Sequence, residues 1–153
     1  MTQICIRPAH IDDLATLLKF EQLIIEYERP MCADMQAGEF NYYSLQNMLE
    51  SDDAQVVVAE KNGKIVAAGH ARIKKSRSYL VHQYHSFLGF MYVEQDYRGK
   101  GVNRLVINEL KAWSREKGMT VCCLTVFDKN ESALKAYQKI GFRNEIIEMR
   151  IAL

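Results

Sequence analysis

Residues 92–110 read YVEQDYRGKGVNRLVINEL, and this stretch decides the fold of the 153-residue chain. An apolar run ends at Val93, a short polar segment follows, and Arg98-Gly99-Lys100-Gly101 opens an amphipathic run. The pattern predicts a strand, a glycine-bearing turn and then a helix. The first turn of a helix has unpaired N–H groups and the positive end of the macrodipole, so such a junction attracts anions. Gly99 and Gly101 let the backbone approach a phosphate with no Cβ between them. The bland reading is a turn with two solvated charges. A nucleotide-binding phosphate loop is a weaker rival, because the Gly-Lys-Ser/Thr ending that would supply a metal-binding hydroxyl is missing.

Downstream, Val102, Leu105, Val106, Leu110 and Trp113 recur on one helical face, which stops at Lys117-Gly118. Val121–Phe127 reads as a buried strand, with Cys122 and Cys123 packing in it as small hydrophobes. Asn130 and Ser132 precede a helix carrying Ala133, Leu134, Ala136, Tyr137 and Ile140, closed by Gly141, and Ile146–Ile151 reads as a last strand. Upstream, the run Phe87–Val93 does not alternate, as in a strand covered on both faces. Gln55–Lys61 and Lys64–Ile73 flank Asn62-Gly63, a hairpin signal. Tyr42–Glu50 predicts a short helix and Arg29–Phe40 a loop. Leu14, Leu17, Leu18, Leu23 and Ile24 predict a helix entered at Asp12-Asp13, and Gln3–Arg7 a first strand. The order β, α, α, β-hairpin, β, α, β, α, β specifies an α/β chain of α+β type. Its mixed, largely antiparallel central sheet is flanked by helices on both faces, in one domain over 1–153.

With 20 basic and 19 acidic residues the net charge is +1, too weak a field to steer nucleic acid. No apolar run reaches the roughly 18 residues that a membrane span needs, and the start of the chain has no signal-peptide core. Cys5, Cys32, Cys122 and Cys123 have neither metal-knuckle spacing nor disulfide density. The expectation is a cytoplasmic protein with no nucleic-acid or membrane partner and no metal.

Two motifs resemble the GNAT superfamily of acetyl-CoA-dependent N-acetyltransferases. The first is Tyr97-Arg98-Gly99-Lys100-Gly101-Val102 after Val93, similar to the family's Arg/Gln-x-x-Gly-x-Gly/Ala turn, with Asn103 where Gly or Ala is usual. The second is Leu124-Thr125-Val126, Asn130, Ala133, Ala136-Tyr137, Lys139 and Gly141-Phe142. Together they cover roughly residues 87–142 in the family's order and spacing.

The resemblance implies that backbone amides from Gly99 through Val102 to Asn103 cradle the coenzyme A pyrophosphate, with Arg98 and Lys100 adding charge. It implies that Met91, Tyr92 and Val93 offer a strand edge to the pantetheine arm and a backbone N–H to the thioester oxygen. Asn130 caps a helix and, by resemblance, also touches the pantetheine. Tyr137 is a core aromatic by spacing alone; by resemblance its hydroxyl protonates the leaving thiolate. The general base stays open among His85, His82, Tyr84, Glu28 and water. A His82–His85 metal site is set aside, because i and i+3 on a strand face opposite ways. The implied reaction moves acetyl from acetyl-CoA to a primary amine, small molecule or peptide, by direct attack in a ternary complex. Acceptor selection falls to Glu28–Phe40, with Glu28 and Asp34, and to Lys74–His85. The rival is a non-catalytic acyl-CoA-binding sensor or scaffold. A homodimer through the last strand is an option at family level.

Overall fold

Asn62 and Gly63 both take positive φ, 52° and 75°, the twist a two-residue hairpin needs. In the computed structural model, which describes residues 3–153, they join β2 (Ala54–Lys61) to β3 (Lys64–Lys75). With β1 (Cys5–Pro8), β4 (Tyr84–Val93) and β5 (Cys122–Cys123) these form a five-stranded sheet in the order β1-β2-β3-β4-β5. Pairing is antiparallel except between β4 and β5, which run parallel.

Helices cover both faces, as expected. Helix α1 (Leu14–Glu28) and helix α2 (Leu45–Glu50) flank one face, where Leu17, Phe20, Leu45 and Met48 pack on Val56, Val58, Ala68 and Phe90. Helix α3 (Val102–Glu116) covers the other, burying Val102, Val106 and Leu110 against Val57, Val66, Ala71 and Leu88. Helix α4 (Glu131–Ile140) follows, capped by the Asn130 side chain and ended by Gly141 at φ 116°. Arg7 ties β1 to the start of α1 and to β2, through Asp13 at 2.8 Å and Glu60 at 2.8 Å. No helix among the described residues is long and apolar enough to cross a membrane.

Two features of β4 shape the site. Ala68 faces Tyr92 and His70 faces Gly89, so Gly69 alone opposes both Phe90 and Met91 in a β-bulge. Phe90 sits at φ 57° there. A Cβ on Gly69 would come within 2.6 Å of Met91 Sδ and 2.8 Å of Val106 Cγ1, so only glycine fits beneath the bulge. The second feature is divergence: β4 pairs with β5 only at Ser86–Cys122 and Phe87–Cys123. Beyond Phe87 the β5-facing edge of β4 is unpaired.

The divergence corrects two expectations. The strand expected over Val121–Phe127 is confined to Cys122–Cys123, because the following residues have no ladder partner, and both cysteines are half-buried. No strand forms over Ile146–Ile151, where Ile147 is 85% and Met149 88% exposed; two paired residues of β5 give it no ladder to join. The second helix starts at Leu45 rather than Tyr42, because the Tyr43 N–H bonds Glu21 Oε2 at 2.9 Å and is held out of a helix.

Candidate active site

Gly99 and Gly101 have φ of 71° and 79°, conformations that β-carbons disfavour. Gly101 is the N-cap of α3, with no capping side chain and no acidic residue in the first turn. A Cβ on either glycine would meet no heavy atom within 4 Å. The turn is therefore uncrowded on the side a β-carbon would occupy. Asn103, in the first helical turn, buries an unpartnered Oδ1, an acceptor that does not suit an anion. Donation from this position falls to its side-chain Nδ2 and its backbone N–H.

The flanking cations are partly engaged. Arg98 Nε donates to the Val93 carbonyl at 2.8 Å, and its guanidinium lies 5.8 Å from the Tyr92 ring centroid. Arg98 thus fastens the turn to the end of β4. Lys100 Nζ stands 5.8 Å from the Tyr97 ring centroid. Met91, Tyr92 and Val93 lead to this turn; Tyr92 and Val93 pair with Ala68 and Ala67 of β3, and on the β5 side this edge has no ladder partner.

Tyr137 lies on α4, its ring edge-on to Phe142 at 5.8 Å. Burial pushes its hydroxyl well above the ordinary tyrosine range, and the nearby Glu28 and Tyr43 push it further. A neutral, proton-bearing hydroxyl results. Glu28 ends α1, half-buried; burial raises its carboxyl, and the Tyr42 hydroxyl beside it partly offsets that. The Tyr43 hydroxyl accepts the Phe90 N–H of the bulge at 3.3 Å. Its ring meets His70 edge to face at 4.6 Å. Tyr137, Glu28, Tyr42 and Tyr43 thus converge, drawn from three separate segments.

The other candidate bases lie apart from that cluster. His82 falls in the β3–β4 connection rather than on a strand, so the opposite-faces argument does not apply to it. Its Nδ1 and that of His85 both reach Ser76 Oγ, at 2.7 and 3.0 Å. Tyr84 is exposed at the start of β4. Among the described residues no three His, Cys, Asp or Glu side chains converge as metal ligands. Asn130 Oδ1 accepts the Ala133 N–H at 3.3 Å, the expected cap. Sequence reasoning missed Tyr42, Tyr43 and Phe90; helix-loop aromatics and a bulged phenylalanine carry no local signal of their partners.

A model of the acetyltransferase (GNAT) family matches residues 19–142. A glucosamine 6-phosphate N-acetyltransferase from Trypanosoma brucei brucei is 38% identical over 61 residues, 40% of each chain. The chain spans less than half the length of the curated relatives it matches. Among solved structures, a point mutant of the BH1408 protein from Bacillus halodurans superposes with a TM-score of 0.85 at 19% identity, covering 97% of this chain and 99% of that one. A predicted acetyltransferase from Clostridium acetobutylicum, solved with acetyl-CoA, gives a TM-score of 0.73 at 17% identity, covering 98% and 96%. At these identities the likeness establishes the fold. With the family match running from residue 19 to residue 142, the chain belongs to the GNAT family of acetyltransferases.

Proposed function

We propose that the protein is an N-acetyltransferase that moves an acetyl group from acetyl-CoA to a primary amine. The observation that carries this reading is the β5-facing edge of β4, unpaired beyond Phe87 and leading to the glycine turn, together with a proton-bearing Tyr137 near Glu28. The relative from Trypanosoma brucei brucei is named for acetylating an amine, and the Clostridium acetobutylicum structure contains acetyl-CoA. Both support the donor and the reaction class.

In this reading Gly99, Lys100, Gly101, Val102 and Asn103 hold the pyrophosphate through backbone N–H groups. Met91–Val93 align the pantetheine arm, and Asn130 steadies the helix that carries Tyr137. Glu28 takes a proton from the incoming ammonium. Its raised affinity for protons suits a base near neutral pH. The free amine forms a bond to the thioester carbon, the carbon–sulfur bond breaks and the sulfur leaves with the Tyr137 hydroxyl proton, which the second proton lost from the attacking nitrogen replaces. Glu28 is preferred over His82 and His85 because those rings are tied to Ser76, while Glu28 lies within Coulombic range of Tyr137.

The test is release of free thiol from acetyl-CoA in the presence of a panel of primary amines. Thiol release that depends on the amine is expected. Coenzyme binding with no turnover on any amine would instead make the protein an acyl-CoA sensor or scaffold.

A further inference from the structure

On β3, His70, Arg72 and Lys74 occupy alternate positions and share one face of the sheet. The register sets them against Gly89, Phe87 and His85 of β4. This is the face on which Tyr43 and His70 pack together, so it runs outward from the Tyr43–Glu28–Tyr137 cluster. Two cations converge on it. Arg72 Cζ is 5.6 Å and Lys74 Nζ 4.4 Å from the centroid of the same Phe87 ring.

Neither cation has a carboxylate partner among the described residues: the ion pairs that form use Arg7, His10, Arg29, Arg143 and Arg150. Arg72 Nε is buried and makes no hydrogen bond. A guanidinium nitrogen shut off from water without an acceptor is costly unless something else supplies one. Glu28 also has no cation among those pairs. Burial raises the Tyr43 hydroxyl, and the charges of Glu28 and Arg72 act on it in opposite senses, so both lie near it. The Tyr43 side chain thus adjoins a carboxylate without a cation and a cation without a carboxylate.

We propose that the acceptor is a primary amine that also carries an anionic group, a carboxylate or a phosphate, with its ammonium at Glu28 and its anion at Arg72 and Lys74. This rests on the acetyltransferase reading above. A polyamine fits poorly, because its second cation would meet Arg72 and Lys74. A neutral amine leaves the two cations over Phe87 without a counter-charge. Arginine presents a planar fork to either oxyanion, and Lys74 adds a point charge from the exposed end of the row.

The experiment compares ethanolamine, β-alanine, phosphoethanolamine and putrescine as acceptors at fixed acetyl-CoA, for the wild type and for Arg72→Met and Lys74→Met. At least one anion-bearing acceptor should exceed ethanolamine and putrescine in kcat/KM by about tenfold, the size of one charge-assisted contact. The better of β-alanine and phosphoethanolamine identifies the anion. Each variant should raise KM for that acceptor by about tenfold and leave KM for acetyl-CoA and for ethanolamine unchanged. Lys74 is exposed, so its variant reports even if Arg72→Met misfolds. Equal use of neutral, dicationic and anionic amines, or discrimination that survives Lys74→Met, overturns this proposal alone. No turnover on any amine overturns the acetyltransferase reading, and this one with it.

Discussion

Replacing Gly101 by valine separates an anion cradle from ordinary turn chemistry, because the substitution has two effects with different readouts. The first is backbone strain. Gly101 sits at φ 79°, and an L-residue there costs roughly 1–2 kcal/mol. That cost is the same with and without ligand, so it lowers the melting temperature and leaves affinity untouched. The second effect is occupancy. No heavy atom lies within 4 Å of a Cβ at this position, so the isopropyl group stands in the space that the turn leaves open. If a pyrophosphate sits there, at least one charge-assisted N–H contact is lost, worth about 1.5–3 kcal/mol, or roughly ten- to hundredfold in Kd. Gly118 supplies the control. Its φ is 81° and its Cβ would also meet nothing within 4 Å, but it lies past the other end of α3. At a rise of about 1.5 Å per residue, the 15 residues of that helix, roughly 22 Å, stand between the two glycines. Calorimetric titration with coenzyme A and thermal melts of both variants decide the matter. Both should lose comparable stability, and only Gly101→Val should lose affinity. Equal Kd in Gly101→Val and the wild type, or equal weakening in both variants, refutes the cradle.

Tyr137→Phe should lower kcat by about a hundredfold, the low end for general acid catalysis, with coenzyme affinity within about twofold of wild type; unchanged turnover removes Tyr137 as the acid. The buried His70 imidazole, with neither nitrogen hydrogen-bonded, is pushed down to about 3 by desolvation and by Arg72. An unfolded histidine titrates near 6.5, so between these values the unfolded chain binds the extra proton. Stability is thus full above about pH 6.5 and falls with acidification by up to about 1.4 kcal/mol per pH unit, or roughly 2 kcal/mol by pH 5. Urea unfolding from pH 7 to 5 measures this slope, which should flatten in His70→Leu; a slope that persists in the variant assigns it to other groups.

The parts of the fold legible in the sequence are those fixed by local chemistry. Asn62-Gly63 dictates a hairpin turn whatever surrounds it, and Gly141 takes the left-handed conformation that closes α4. Of the α3 stripe read from helical periodicity, Val102, Val106 and Leu110 are buried and Trp113 is partly buried, while Leu105 lies exposed at the edge of the face. The glycine turn was legible for the same reason, since it lies within a few consecutive residues. What was not legible depends on partners far along the chain. His82 and His85 meet on Ser76 because a connection folds back, which strand periodicity cannot express. Glu28 was one candidate beside His85, His82, Tyr84 and water, and its nearness to Tyr137, more than a hundred residues away, depends on the fold. The apolar residues around Ile146–Ile151 have strand character, but a strand also needs a ladder, and β5 provides only two paired positions.

Phe90 links these two kinds of information. A phenylalanine at φ 57° costs of order 1–3 kcal/mol, and nothing in its own sequence environment asks for that conformation. It persists because several distant groups fix it. Gly69 has no Cβ to collide with Met91, the Tyr43 hydroxyl accepts the Phe90 N–H, and the His70 ring stacks on the Phe90 ring at 6.3 Å. Glu21, fully buried on α1, in turn holds the Tyr43 backbone. The strain therefore has a physical route back to α1, the helix that ends in Glu28. A bulge bends and twists its strand, and here it falls on the part of β4 that has already left β5. The strained residue, the unpaired edge and the Tyr43 hydroxyl that accepts the Phe90 N–H are consequences of one arrangement. Loosening that arrangement at Tyr43 should disturb the donor edge and the acceptor face together.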